Sequence, residues 1–152
     1  MKVFFGDKEY IDSIINDLNI EIINNKYGKP MDKNDFLYFS KSHTYNLSTL
    51  IIDDKQCGID IEKIRPYNDI MAKKICSDSE YSYLQQSSKK DYDYTMLWVM
   101  KESYLKCLGI GLAYPLKKIG FINNNKIIEE INGFSLTIIN FEKYIISIFR
   151  KD

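Results

Sequence analysis

Histidine is almost missing from this chain: His43 is the only one in 152 residues, which rules out zinc sites built from several imidazoles. Cysteine is scarce as well. Cys57, Cys76 and Cys107 are odd in number and widely spaced. They form neither a disulfide framework nor a C-x-x-C metal pair, so a reducing cytoplasm is the expected setting. Proline occurs three times, and no low-complexity stretch or fixed-period repeat marks a boundary between domains. No run approaches the roughly 20 apolar residues of a membrane span, and the apolar run at the amino end is too short for a signal peptide. Neither sign of charge is in excess, with 21 Lys and Arg against 21 Asp and Glu, so no net field draws the chain to nucleic acid or to acidic membranes. The expectation is one soluble, cytoplasmic domain with no nucleic-acid or membrane partner.

What is present is ordinary globular material, 45% hydrophobic and 14% aromatic. Val3–Phe5 reads as a short strand. Ile11, Ile14, Ile15 and Leu18 follow helical spacing behind Asp7, a suitable N-cap. Strands are expected at Ile20–Ile23, Phe36–Ser40 and Ser48–Ile52, with a turn at Tyr27-Gly28-Lys29-Pro30. Cys57 to Glu62 alternates cleanly: Cys57, Ile59 and Ile61 point one way, Gly58, Asp60 and Glu62 the other. Helices follow at Ile70–Ile75, Ser79–Gln86 (with Ser77 or Ser79 as cap) and Tyr92–Leu108, the last ended by Gly109. Strands then return at Ile119–Ile122, Lys126–Ile131, Phe134–Asn140 and Tyr144–Arg150. The fold class is α+β, an antiparallel sheet packed against a long helix.

Asp60 and Glu62 lie about 7 Å apart along one strand face. Two ionised carboxylates at that distance repel by roughly 2 kcal/mol at an effective dielectric near 20. A divalent cation turns that repulsion into binding energy, and Mg²⁺ accepts one or two carboxylates together with phosphate oxygens and water. The spacing equally suits a strand showing its polar face to solvent. Glu102 and Lys106, four apart on the long helix, suit either an ordinary helix ion pair or a site in which Glu102 joins the strand carboxylates while Lys101 and Lys106 hold phosphate. Ser42-His43, read as following a strand that ends at Ser40, cannot readily form a hydrolase pair because the two are adjacent. They are reasonable anion ligands. Gly109-Ile110-Gly111 is too thin for a phosphate loop and is explained by helix termination.

Taken together, Gly58-Ile59-Asp60-Ile61-Glu62-Lys63-Ile64-Arg65-Pro66, a spacer containing Ser79-Glu80-Tyr81, Trp98-Val99-Met100-Lys101-Glu102-Ser103-Tyr104-Leu105-Lys106 and Gly109-Ile110-Gly111-Leu112 with Pro115-Leu116 resemble the 4′-phosphopantetheinyl transferases of the larger, surfactin-synthetase-activating type. Tyr27-Gly28-Lys29-Pro30 and Ser42-His43 are similar to that family's turn and Ser-His pair. The likeness covers about residues 25 to 122. It implies the fold of that family and Mg²⁺-dependent transfer of phosphopantetheine from coenzyme A to a serine of an acyl or peptidyl carrier protein of fatty acid, polyketide or nonribosomal peptide synthesis. By the match, Asp60, Glu62 and Glu102 hold Mg²⁺, and Glu102 helps deprotonate the acceptor serine. Lys101 and Lys106 contact phosphates and steady the departing adenosine 3′,5′-bisphosphate, while Lys29, Ser42 and His43 grip the nucleotide end. The acceptor docks on residues 63 to 90, which have a local basic excess.

The family has two similar halves. Here residues 1–54 correspond to a shortened first half and residues 55–152 to the second, which carries the metal and catalytic motifs. Lys2 and Lys8 are the only basic residues before Lys26, so part of the nucleotide site is trimmed. Ser40-Lys41, in front of Ser42-His43, also departs from the family's usual hydrophobic lead-in. A relative that binds coenzyme A or a carrier protein without transferring anything is the alternative reading, and the oligomeric state is open.

Overall fold

The computed structural model describes residues 1–111 and 114–152; Leu112, at the end of the Gly109-Ile110-Gly111-Leu112 segment, lies outside the described residues. In chain order the elements are β1 (Lys2–Gly6), α1 (Lys8–Asp17), β2 (Ile22–Asn24), β3 (Pro30–Asp32), β4 (Tyr38–Thr44), β5 (Leu47–Asp53), β6 (Cys57–Lys63), α2 (Asp69–Ile75), α3 (Asp78–Gln86) and α4 (Lys90–Leu108). A 3₁₀ turn at Leu116–Lys118 then leads to β7 (Ile122–Asn123), β8 (Lys126–Ile127), β9 (Glu130–Ile131), β10 (Phe134–Phe141) and β11 (Tyr144–Lys151).

Two antiparallel sheets pack face to face. The first has the order β1-β5-β4 and the second β6-β11-β10-β9. Strand alternation decides which side chains go where. On β5, Ile51 points inward to meet Cys57, Ile59 and Ile61 of β6 and Ile146 and Ile148 of β11. Leu50 and Ile52 point outward onto Ile11 and Ile15 of α1. Each such isoleucine or leucine contributes about 1.5–3 kcal/mol by leaving water. Asp7 caps α1 by accepting a hydrogen bond from the Tyr10 amide.

The outer face of the second sheet carries α4, which is buried along most of its length. Its backbone lies almost on β6. A β-carbon at Gly58 would come within 2.1 Å of the Ser103 carbonyl oxygen and 2.3 Å of the Cys107 nitrogen. The Ser103 and Ser147 hydroxyls meet beside this contact at 2.7 Å. Tyr104 packs edge-on against Phe121, Phe134 and Phe149, locking the helix to the sheet. Gly109 ends α4 in the left-handed conformation at φ 70°. The Ser77 side chain accepts from the Glu80 amide while Glu80 reaches back to the Ser77 amide, a full capping box on α3.

Two local expectations fail. The strand expected to end at Ser40 continues to Thr44, because Ser40, Ser42 and Thr44 alternate toward β6 and the whole run pairs with β5 around a two-residue turn. The strands expected at Ile119–Ile122 and Lys126–Ile131 shrink to the two-residue pieces β7, β8 and β9. Asn124 and Asn125, both at positive φ, turn the chain early, and Ile119 and Phe121 go into the core. No helix among the described residues is long and apolar enough to cross a membrane. All three cysteines are free and buried.

Candidate active site

Where the edge strands of the two packed sheets converge, β4 lies against β6, with the Ile59 amide donating to Ser40 Oγ at 3.2 Å, and a cleft of about 590 Å³ opens there beside α4. β6 offers Asp60 and Glu62 on the face that bears Gly58. The close contact at Gly58 brings one side of α4 over them, with Trp98, Glu102, Leu105 and Lys106 at i, i+4, i+7 and i+8. β4 supplies Ser42 and His43, and the turn at Tyr27–Pro30 supplies Lys29. Seven of the residues singled out from the sequence therefore border one cleft: Lys29, Ser42, His43, Asp60, Glu62, Glu102 and Lys106.

The polar contacts at Asp60 are short. Asp60 Oδ1 accepts from Ser42 Oγ at 2.6 Å and from Lys106 Nζ at 2.6 Å. Glu62 Oε2 accepts from Thr44 Oγ1 at 3.3 Å. Asp60 Oδ2 and Glu102 Oε1 are buried with no hydrogen-bond donor. Burial, and then the charge of nearby Asp60, pushes the Glu102 carboxyl up to about 7. The same two causes raise Glu62. Burial lowers the ammonium pKa of Lys29, whose Nζ reaches the Cys57 carbonyl at 3.4 Å.

Among the described residues no three carboxylates, imidazoles or thiols stand close enough to form a ready-made metal cage. The donor set nevertheless fits a hard divalent cation that keeps part of its water. It is all oxygen, it concentrates like charge, and two of its buried oxygens lack donors.

Lys101 is not brought to this cleft. It is adjacent to Glu102 and so lies about 100° around the helix. Its Nζ is fully buried, 2.7 Å from Glu80, and donates to the Leu116 carbonyl at 3.1 Å and to the Ile119 carbonyl. Glu80 also accepts from the Phe121 amide at 2.9 Å. With every donor satisfied inside the core, Lys101 ties α4 to α3 and to the segment after Pro115, and no ammonium remains for phosphate.

Ser42 and His43 do not stand beyond a strand end but inside β4, which separates their directions: Ser42 faces Asp60 while His43 faces outward. Thr44 and Arg65 belong to the site without having been singled out for it. Continuing the period-two hydroxyl pattern of Ser40 and Ser42 would have found Thr44. Arg65, quoted from the sequence only within its motif and the basic stretch, stacks from the loop after β6 over Trp98 at 4.6 Å and Tyr94 at 5.4 Å, both on α4.

Residues 56–148 match a family model described as the 4′-phosphopantetheinyl transferase superfamily. A 4′-phosphopantetheinyl transferase of Bacillus subtilis is 41% identical over 95 residues, covering 60% of this chain and 42% of that protein. The 4′-phosphopantetheinyl transferase Sfp of Bacillus subtilis strain 168 is 40% identical over 103 residues, covering 64% of this chain and 45% of Sfp. The 4′-phosphopantetheinyl transferase gsp of Aneurinibacillus migulanus is 30% identical over 121 residues, covering 77% of this chain and 51% of gsp. The chain thus spans about half the length of the curated relatives it matches. Among solved structures, the holo-[acyl-carrier-protein] synthase of Thermotoga maritima shares the fold, with a TM-score of 0.52 and 17% identity over 64% of this chain and 63% of that one. The matched segment runs from the turn before β6 through α4 and into β11, taking in Asp60, Glu62, Glu102 and Lys106, and by that match the chain belongs to the 4′-phosphopantetheinyl transferase superfamily.

Proposed function

We propose that the chain transfers 4′-phosphopantetheine from coenzyme A to a serine of an apo acyl or peptidyl carrier protein in the cytoplasm, releasing adenosine 3′,5′-bisphosphate. The observation that supports this reading best is the convergence of Asp60, Glu62, Glu102 and Lys106 on one cleft, with two buried carboxylate oxygens left without donors. Asp60, Glu62 and Glu102 would hold Mg²⁺. When bound, the ion neutralises charge on the coenzyme A diphosphate. The protein's own part is alignment and electrostatics, which dominate phosphoryl transfer.

The acceptor serine oxygen forms a bond to the phosphorus that carries pantetheine, and the bond to the adenosine bisphosphate oxygen breaks. Glu102 takes the serine proton, a role suited to a carboxyl raised to about 7. Lys106 places an ammonium beside Asp60 to balance charge on the departing phosphate. Lys29, Ser42 and His43 bind the phosphates of the nucleotide end. Lys63, Arg65, Lys73, Lys74, Lys89 and Lys90 favour an acidic carrier protein at the α2–α3 side.

The second reading is a protein that binds coenzyme A or the carrier without transfer. Intact-mass analysis of an apo carrier incubated with the chain, coenzyme A and Mg²⁺ separates the two. Transfer predicts a gain of one phosphopantetheine that requires metal and disappears in Asp60→Ala and Glu102→Gln. Coenzyme A binding without mass gain across several carriers would leave the second reading standing.

A further inference from the structure

Three hydroxyls on β4 meet β6 at alternate positions. Ser40 Oγ accepts from the Ile59 amide at 3.2 Å, Ser42 donates to Asp60 at 2.6 Å, and Thr44 donates to Glu62 Oε2 at 3.3 Å. Residues two apart on a strand leave the same face, so a row of hydroxyls lies along the strand that bears both carboxylates. Thr44 is 7% exposed and has no part in the transfer described above. Its place is set by its neighbours. Tyr45 turns the chain at φ 51°, and the Lys63 ammonium lies 4.9 Å from the centre of the Tyr45 ring, which clasps the end of β4 to the end of β6.

The two carboxylates of β6 are held unequally. Asp60 is fixed by Ser42 and by Lys106. Glu62 has a longer side chain with one more torsion to order, and among the described residues Thr44 is the one side chain that donates to it. The bond engages Oε2 alone, and Glu62 borders the cleft. It is long for O–H···O, of the kind that tightens when a ligand draws the carboxylate into place. Threonine suits the task because its branched β-carbon restricts χ1, so the hydroxyl is aimed in advance. Resting on the transferase reading, in which Glu62 is a ligand of the divalent cation, we propose that Thr44 is a positioning residue whose hydroxyl holds Glu62 in the orientation from which it takes the cation.

The test titrates Mn²⁺ into the full chain with coenzyme A present and reads the quenching of Trp98, the single tryptophan, which borders the cleft. Thr44→Val keeps the shape and removes the hydroxyl; it is expected to weaken Mn²⁺ binding about tenfold, with Thr44→Ser restoring most of the loss. In a Glu62→Ala background Thr44→Val should add no further loss, because the group it orients is gone. Transfer by Thr44→Val should recover as Mg²⁺ is raised. Where Thr44→Val does not fold, Thr44→Ser and Thr44→Ala, which differ by the hydroxyl alone, carry the same comparison. Wild-type affinity in Thr44→Val, or a loss that adds in full to that of Glu62→Ala, overturns the proposal. So does a loss of transfer that no Mg²⁺ concentration relieves. Each of these outcomes leaves the transferase reading intact, because the wild-type chain still adds phosphopantetheine to the carrier. A folded wild-type chain that neither transfers nor responds to Mn²⁺ removes both.

Discussion

Lys101 Nζ lies 2.7 Å from the Glu80 carboxylate with both side chains wholly out of solvent, so the lysine next to Glu102 serves the core and not the cleft. Breaking such a pair strands a charge. Glu80→Gln should cost about 3–5 kcal/mol in denaturant unfolding. It also weakens the capping box on α3 and the contact to the Phe121 amide. A loss below about 1 kcal/mol would mean that Lys101 is not anchored by Glu80.

Gly58 sets the distance between the walls of the site. Gly58→Ala puts a methyl group 2.1 Å from the Ser103 carbonyl oxygen, in contact with backbone that cannot step aside. Destabilisation of about 1–3 kcal/mol or more is expected. Because α4 must move off β6, the variant should lose coenzyme A binding even where it remains folded. Unchanged binding by calorimetry would show that the helix does not need this close approach.

The protonation of Glu102 sets a pH limb on metal binding. Its carboxyl sits at about 7, raised by burial and by Asp60, so below that pH a proton occupies the oxygen a cation needs. Mg²⁺ affinity should fall by up to about tenfold per pH unit below 7 and level off above it. Glu102→Gln should lower affinity and abolish this limb. Calorimetric titrations at pH 6, 7 and 8 decide, and a flat profile in the wild type would sink the assignment.

Asp53 and Arg150 join the ends of the two sheets. The guanidinium holds the buried Asp53 carboxyl well below the usual carboxylate range, with its Nε 2.6 Å away. A depressed carboxyl stabilises the fold at pH values above its unfolded pKa of about 4, and that contribution is lost as pH falls through the folded value. Arg150→Met should therefore destabilise the chain at pH 7 and flatten the acid limb of its stability curve. The check is Tm from pH 2 to 7; parallel curves for wild type and variant would exclude the linkage.

Much of the architecture is legible in the sequence because it depends on neighbours along the chain. The alternation from Cys57 to Glu62 follows from the two-residue period of a strand, and the caps at Asp7, Ser77 and Gly109 follow from what a helix end leaves unbonded. The residues from Gly58 to Arg65 and from Trp98 to Lys106 likewise point to the family, since both motifs fall within the matched segment.

Where local preference is weak, the sequence misleads. The fragmentation of the strands after Ile119 is settled by the demand of Phe121 and Ile119 for the core beneath α3, a contact between segments some 40 residues apart.

The sequence by itself determined which groups the molecule has to work with: Asp60 and Glu62 on one strand face, and Glu102 and Lys106 on one helix face. Only the tertiary structure decided which neighbouring groups share the cleft. Lys101 and Glu102 are consecutive, yet a rotation of about 100° sends one toward Glu80 and the other toward Asp60. Lys41 and Ser42 are consecutive on an edge strand, and the strand's alternation gives one to Asp12 and the other to Asp60. Periodicity fixes the angle between such neighbours, while the packing of α1, α4 and β6 fixes what stands at each angle.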